Sequence, residues 1–306
     1  MFLERLSLSR YAVDRDYLAR EQPDAIEVLL ADPATRLLPM FQSTALLSGP
    51  TALALVPVSA VPPAELYVYL GRSVAPESPE PVGTPIVAAV LTDAGHLAEA
   101  TWGNLRQLGS QLSDRDAGLF TEALGIINWH DSHRFSPRTG VPTHAGKAGW
   151  VRIDPTTGAE MYPRTDAAII VGITDADDRL LLGSNALWES NRFSLLAGFV
   201  EPGESLEAAV IREVFEESGI SVVDPVYLGS QPWPFPASLM LGFTATVDPR
   251  FVNDLKPDGN EILELRWFSR DELRAALTSI KLPGRTSIAR SIIELWFGGT
   301  IDDGSV

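Results

Sequence analysis

The stretch from Gly198 to Ile220, GFVEPGESLEAAVIREVFEESGI, constrains this 306-residue chain more than any other. It opens on a loop rich in Gly and Pro (Gly198, Pro202, Gly203), then runs without either until Gly219, long enough for a helix. Glu213, Glu216 and Glu217 stand at i, i+3 and i+4, so at ~100° per residue they share an arc of about 100°. Carboxylates this close repel one another unless a cation lies among them. Oxygen-only ligands suit Mg²⁺ or Mn²⁺ rather than zinc. The glycines leave backbone atoms open to a ligand, and the stretch reads as a device for holding a metal-bound diphosphate. Taken alone, the Glu spacing also fits a solvated acidic helix face.

The chain is longer than one compact domain needs. Residues 1–125 read as a mixed α/β domain, 126–162 as a loop-rich segment and 163–306 as the domain that carries the acidic stretch. No run approaches the ~18 apolar residues of a membrane span, so no membrane partner is expected. The opening MFLERLSLSRYAVDRD is charged from Glu4 onward and lacks a signal-peptide core, which suits a cytoplasmic protein. The formal charge of −16 argues against broad affinity for nucleic acid or anionic membranes. An acidic protein that handles a polyphosphate must bring a cation to it. The absence of cysteine excludes disulfides and thiolate metal sites.

Apolar runs at 45–58, 66–70 and 86–91 predict short strands, and 112–124 predicts a helix with Ser113 as N-cap. Residues 126–162 hold three of the four histidines, His130, His133 and His144, among many Gly and Pro. With Asp154 they offer a loosely spaced zinc set, weighed against ordinary hydrogen-bonded histidines. Further on, 167–173 and 179–182 predict a hairpin turning at 175–178, and 194–197 a short strand that delivers the acidic stretch. Strands follow at 226–230, 239–247 and 262–268. Ser269 and Glu272 predict a capping box, and 287–297 a last helix burying Ile288, Ile292, Leu295 and Trp296. Ser230-Gln231-Pro232-Trp233-Pro234-Phe235-Pro236, then Ser238, is a second informative stretch. Alternate prolines exclude a helix or central strand and predict a stiff loop with two aromatic faces, suited to a base or ribose.

Gly198, Glu204, Arg212-Glu213-Val214, Glu216-Glu217 and Gly219-Ile220 match the Nudix box at every fixed position, so the chain resembles a Nudix hydrolase. Followed by SQPWPFPxS, it resembles the NADH pyrophosphatases, strongly from about Tyr162 to Arg290 and weakly before. The resemblance implies an α/β/α sandwich on a mixed sheet, preceded by a degenerate zinc-ribbon-like segment and an N-terminal α/β domain. It implies metal ligation by Glu213, Glu216, Glu217, Glu261 and the Ala197 carbonyl, with Glu216 or Glu217 taking the proton of the attacking water. Phe199 would stack on the nicotinamide, and Tyr162 would reach the pocket of the partner in a homodimer. Gln231, Pro232, Trp233, Pro234, Phe235, Pro236, Ala237, Ser238 and Ala289 would line the rest, with Arg106 as a further substrate contact. Arg212 and Glu204 are expected to pair and brace the loop on the helix.

The chain departs from that family in the ribbon. The usual C-x₂-C-x₁₄-C-x₂-C is replaced at unchanged spacing by Ser136, Thr139, Asp154 and Thr157, so no zinc is expected. Side-chain hydrogen bonds are expected in its place. A substrate-touching Glu of some relatives is replaced by Gly149. The implied activity is metal-dependent hydrolysis of NAD(H) to NMN(H) and AMP, extending to removal of NAD caps from RNA. The alternatives are a Nudix hydrolase of ADP-ribose or a diadenosine polyphosphate, and a non-catalytic NAD-binding regulator.

Overall fold

The computed structural model describes residues 2–189, 191–251 and 254–304. They fall into two compact units. One comprises Leu8–Thr165 and Trp233–Ala237; the other comprises Met1–Ser7, Asp166–Pro232 and Ser238–Val306.

In the first unit, strands β1 (Val13–Asp14), β2 (Arg36–Phe41), β3 (Thr44–Gly49), β4 (Ala52–Leu53), β5 (Val56–Pro57), β6 (Leu66–Ser73), β7 (Pro85–Val90) and β8 (Trp102–Gly103) form one sheet. Its order is β1-β6-β7-β2-β3-β4, with β5 on β2 and β8 on β3. Helices α1 (Tyr17–Arg20), α2 (Ala25–Ala31), α3 (Leu105–Leu108) and α4 (Asp114–Ser132) accompany it. Alternation along the strands sends Leu38, Met40, Val68, Leu70, Ile86 and Ala88 into a core with Leu119, Phe120, Ala123 and Ile127 of α4. Leu37, Tyr69, Val87 and Ala89 instead pack with Ala25 and Leu29 of α2. Ser113 caps α4 by accepting the Asp116 N–H at 3.2 Å.

The helix runs past residue 125 to Ser132, so residues 126–132 are helical rather than part of a loop-rich segment. No Gly or Pro interrupts 126–136, and Ile126, Ile127, Trp129 and His130 are buried, which carries the helix on. The ribbon-like segment follows as an antiparallel sheet of β9 (His144–Gly146), β10 (Val151–Ile153) and β11 (Glu160–Met161), in the order β11-β10-β9. Hydrogen bonds join Ser136, Thr139, Asp154 and Thr157, the four positions where the resemblance implied thiolates. Thr139 Oγ1 donates to Asp154 Oδ2 at 2.6 Å, and Asp154 Oδ1 accepts the N–H groups of Thr156 (2.8 Å) and Thr157 (3.2 Å). Ser136 Oγ accepts the Thr139 N–H at 3.3 Å.

The second unit is built on β12 (Asp166–Thr174), β13 (Leu180–Asn185), β14 (Leu196–Phe199), β15 (Val222–Trp233), β16 (Ser238–Val247) and β17 (Ile262–Phe268). The sheet order is β15-β16-β12-β13-β17, with β14 on β12. β12 and β16 pair in parallel, while β13 is antiparallel to both β12 and β17. Helices α5 (Leu206–Ser218), α6 (Arg270–Ala276) and α7 (Ile288–Phe297) complete it. Ile169, Val171 and Ile173 face Ala209, Val210 and Val214 of α5, and Ile170 faces the other way with Ile288, Ile292 and Ile293 of α7. The unit is therefore a sheet between helices, the sandwich expected from the sequence. On α7, Ile293 is buried and Leu295 is 40% exposed, reversing the expectation for Leu295. The delivering strand starts at Leu196, because Ser194 makes a separate bridge to Gly183. β15 continues through Pro232 to Trp233, which an edge strand tolerates since its outer N–H groups lack ladder partners. No helix among the described residues is long and apolar enough to cross a membrane.

Candidate active site

α5 is a well-bounded helix. Ser205 Oγ accepts the Ala208 N–H at 3.1 Å, and Gly219 ends the helix in the left-handed conformation at φ 71°. This fixes Glu213, Glu216 and Glu217 against β14. The approach is close enough that a Cβ on Gly198 would lie 2.0 Å from the Glu213 carboxyl carbon, so the glycine makes the room. Arg212 ties the loop to the helix. Its Nε and NH2 contact the two oxygens of Glu204 at 3.1 and 2.6 Å, and NH2 also donates to the Phe199 carbonyl at 3.0 Å. NH1 reaches Glu213 Oε1 and Glu216 Oε2, each at 3.0 Å. The Arg212–Glu204 brace expected from the sequence is present.

Glu217 is the buried member, and its Oε2 has no hydrogen-bond partner. Burial, then the nearby carboxylates of Glu261, Glu213 and Asp258, push its pKa up to about 8; the Ala197 N–H opposes them. Burial likewise raises Glu213, against the pull of Arg212. A buried carboxylate oxygen facing other carboxylates fits a hard cation, and the donors are all oxygen. The residues therefore suit a divalent metal by donor chemistry. Among the described residues, no three His, Cys, Asp or Glu side chains converge as a ready cage. Glu213 is drawn to Arg212, and Glu261, exposed at the head of β17, accepts from Asn185 Nδ2 at 3.2 Å.

Two residues outside the sequence motifs shape this corner. Asn185 orients Glu261, and Asp258 accepts the N–H groups of Asn260, Glu261 and Ile262 at 2.7–3.3 Å. The Asp258-Gly259 pair is a readable turn signal; Asn185 has none. Phe199 ends β14 and is 59% exposed, a ring open to a ligand. Two other expected pocket residues are buried. Gln231 Nε2 donates to the Thr286 carbonyl at 3.0 Å, and Ala289 sits in the core beside Ile288 and Ile292. Ser238 opens β16 opposite Asp166.

Apart from Pro232, the remaining expected substrate residues belong to the first unit. Trp233 and Phe235 meet edge to face at 4.9 Å between centroids. The Arg106 guanidinium lies 4.3 Å from the Phe235 ring centroid and 5.2 Å from that of Trp233. Arg106 and Phe235, with Pro234, Pro236 and Ala237, line a cavity of about 620 Å³. Pro232 is exposed just before this loop. Tyr162 is exposed, and its hydroxyl donates to Glu160 Oε2 at 2.7 Å. Gly149 has φ +92°, and a Cβ there would meet the Tyr67 carbonyl oxygen at 2.7 Å, so a glutamate does not fit this backbone. His130 is buried and donates through Nε2 to the Gly149 carbonyl at 2.7 Å, leaving Nδ1 to accept from Arg152. It and His133, whose Nδ1 pairs with Ser132 Oγ, form no metal set with His144 or Asp154 among the described residues.

The sequence profile described as NUDIX domain matches residues 163–290, and one described as NADH pyrophosphatase-like rudimentary NUDIX domain matches residues 28–129. A protein of Mycobacterium bovis (strain BCG / Pasteur 1173P2) named NAD-capped RNA hydrolase NudC is 45% identical over 227 residues, covering 71% of this chain and 68% of its own. A protein of Stutzerimonas stutzeri (strain A1501) with the same name is 39% identical over 214 residues, covering 70% of this chain and 74% of its own. NAD-capped RNA hydrolase NUDT12 of Macaca fascicularis is 36% identical over 200 residues, covering 61% of this chain and 43% of its own.

Proposed function

The chain belongs to the Nudix hydrolase family, and from that premise we propose that it cleaves the pyrophosphate of NAD(H) to NMN(H) and AMP. The same cut would remove an NAD cap from an RNA 5′ end, the activity named for its relatives. The observation that carries the reading is the buried, unpartnered Glu217 oxygen among the charges of Glu261, Glu213 and Asp258. Such a carboxylate is costly unless a cation shares it.

Nudix hydrolases use divalent metals. Glu213, Glu216, Glu217, Glu261 and the Ala197 carbonyl would hold Mg²⁺ or Mn²⁺, which when bound offsets the diphosphate charge and acidifies water. Glu216 or Glu217 would take the proton of the attacking water; Glu216 is exposed and tied to Arg212. The water oxygen joins one phosphorus as the bridging P–O bond breaks. Phe199 stacks on the nicotinamide, while Arg106, Trp233 and Phe235 contact the rest of the substrate. The protein works as a cytoplasmic homodimer in which Tyr162 serves the partner's pocket, and it needs no zinc.

Turnover with NADH and Mg²⁺ or Mn²⁺, with products identified, tests this. NMNH and AMP are expected, and EDTA should stop the reaction reversibly without dissociating the dimer. Preference for ADP-ribose or a diadenosine polyphosphate would assign another dinucleotide. Binding of NAD(H) without turnover under either metal would make the protein a regulator. A fully active monomer would remove the role given to Tyr162.

A further inference from the structure

We propose that Asn128 of α4 is a positioning residue for substrate, holding the Trp233–Ala237 loop in its binding shape. The proposal rests on the reading of that loop as a substrate contact. The loop is poorly able to hold itself. Pro232, Pro234 and Pro236 have no N–H, and within the loop the Phe235 N–H is turned onto the Trp233 carbonyl at 2.7 Å. Its carbonyls therefore need donors from elsewhere. The two N–H bonds of one amide supply them: Asn128 Nδ2 donates to the Pro234 carbonyl at 2.9 Å and to the Pro236 carbonyl at 3.1 Å.

The amide stands on a helix whose other side is built into the core through Ala123, Ile126 and Ile127, so its own position is fixed. One turn earlier, a Cβ on Gly125 would meet Pro234 Cβ at 3.7 Å, an ordinary contact, which shows how closely this face of α4 follows the loop. The result aims the two aromatic rings. With Pro234 and Pro236 held from below, Phe235 projects under the Arg106 guanidinium, and Asn128 lines the same 620 Å³ cavity as both. The rudimentary N-terminal domain thereby sets the geometry of a substrate loop whose sequence lies in the catalytic domain.

Kinetics with NADH distinguish this from simple packing. Asn128→Ala should raise KM about tenfold with kcat within about twofold. Asn128→Asp has the same shape but offers only acceptors at pH 8, so it should raise KM at least as much. The double variant with Trp233→Ala should have a KM no higher than Trp233→Ala alone, because both act through one loop. Wild-type kinetics for Asn128→Asp, multiplicative effects in the double variant, or a loss confined to kcat would overturn the proposal. An unimpaired Asn128→Ala beside an impaired Trp233→Ala would defeat Asn128 alone. A wild-type KM for Trp233→Ala would instead defeat the loop's role in binding.

Discussion

Glu217→Gln removes one charge and almost no volume from the catalytic corner. Turnover should fall by about 100-fold or more at saturating Mn²⁺, with the circular dichroism spectrum unchanged. Near-normal turnover would mean that this carboxylate is not part of the metal site. Phe199→Ala tests the ring beside it. An offset stack is worth about 0.5–1.5 kcal/mol beyond burial, so kcat/KM for NADH should drop roughly two- to tenfold. ADP-ribose, with no base on that side, should be affected less; equal losses would mean the ring does not meet nicotinamide. The acidic residues were legible because Glu213, Glu216 and Glu217 recur at i, i+3 and i+4 on one helix, a purely local spacing. Asn128 was not, since its partners lie 106 and 108 positions along the chain and leave no local pattern. Gln231 lies within a legible motif, yet its amide turns inward to Thr286, a direction that spacing alone does not encode.

At the scale of elements, the ribbon-like segment stands on an acid, Asp154. The Thr139 hydroxyl, then that of Ser136, hold the Asp154 carboxyl well below the usual range. A depressed carboxylate stabilises above its unfolded pKa of about 3.9 and loses that contribution as pH falls through the folded value. Asp154→Asn should therefore melt a few degrees lower at pH 7, and added zinc should not restore it. Stoichiometric zinc in the purified wild-type protein would overturn this account. α4 carries the opposite case in Glu122, whose Oε1 is buried without a hydrogen bond and whose Oε2 lies 3.4 Å from Arg15 Nε. Burial pushes its carboxyl up to about 7, with Arg15 and Arg20 opposing. A raised carboxyl gives the fold its full help while protonated and withdraws it as pH rises from about 4.3 through 7. Denaturant titrations should show wild type losing up to about 3 kcal/mol between pH 5 and pH 8 relative to Glu122→Gln. Parallel pH dependence in the two proteins would count against it. Most strands of the second unit and the caps at Ser113 and Ser269 were readable because alternation and capping are local, whereas β2 (Arg36–Phe41), buried on both faces, shows no alternation and was not anticipated. The reach of α4 to Ser132 was obscured by the Gly and Pro that crowd the sequence just beyond it.

For the whole molecule, a formal charge of −16 leaves little attraction for an RNA body beyond its cap. Each phosphate neutralised on a single strand contributes a slope of about −0.7 in log affinity against log salt. Cleavage of NAD-capped RNA should accordingly lose less than about tenfold in kcat/KM between 50 and 200 mM KCl. A much steeper loss, with NADH turnover unchanged, would reveal a basic track along the surface. The two units also share the chain unevenly, and this has a consequence for synthesis. Leu6 is fully buried in the core of the catalytic unit with Leu282, Ile288, Ile292 and Ile301. Ser7 Oγ donates to the Arg285 carbonyl and Ser291 Oγ to that of Arg5, across separations of 278 and 286 residues. At translation speeds of about 5–20 residues per second, this short strap leaves the ribosome roughly 15–60 s before the pocket that receives it exists. The catalytic sandwich thus closes only once residues 282–301 have been made, by capture of a segment synthesised long before them. A bulky insertion beside Leu6 would hinder the closing step rather than the chemistry.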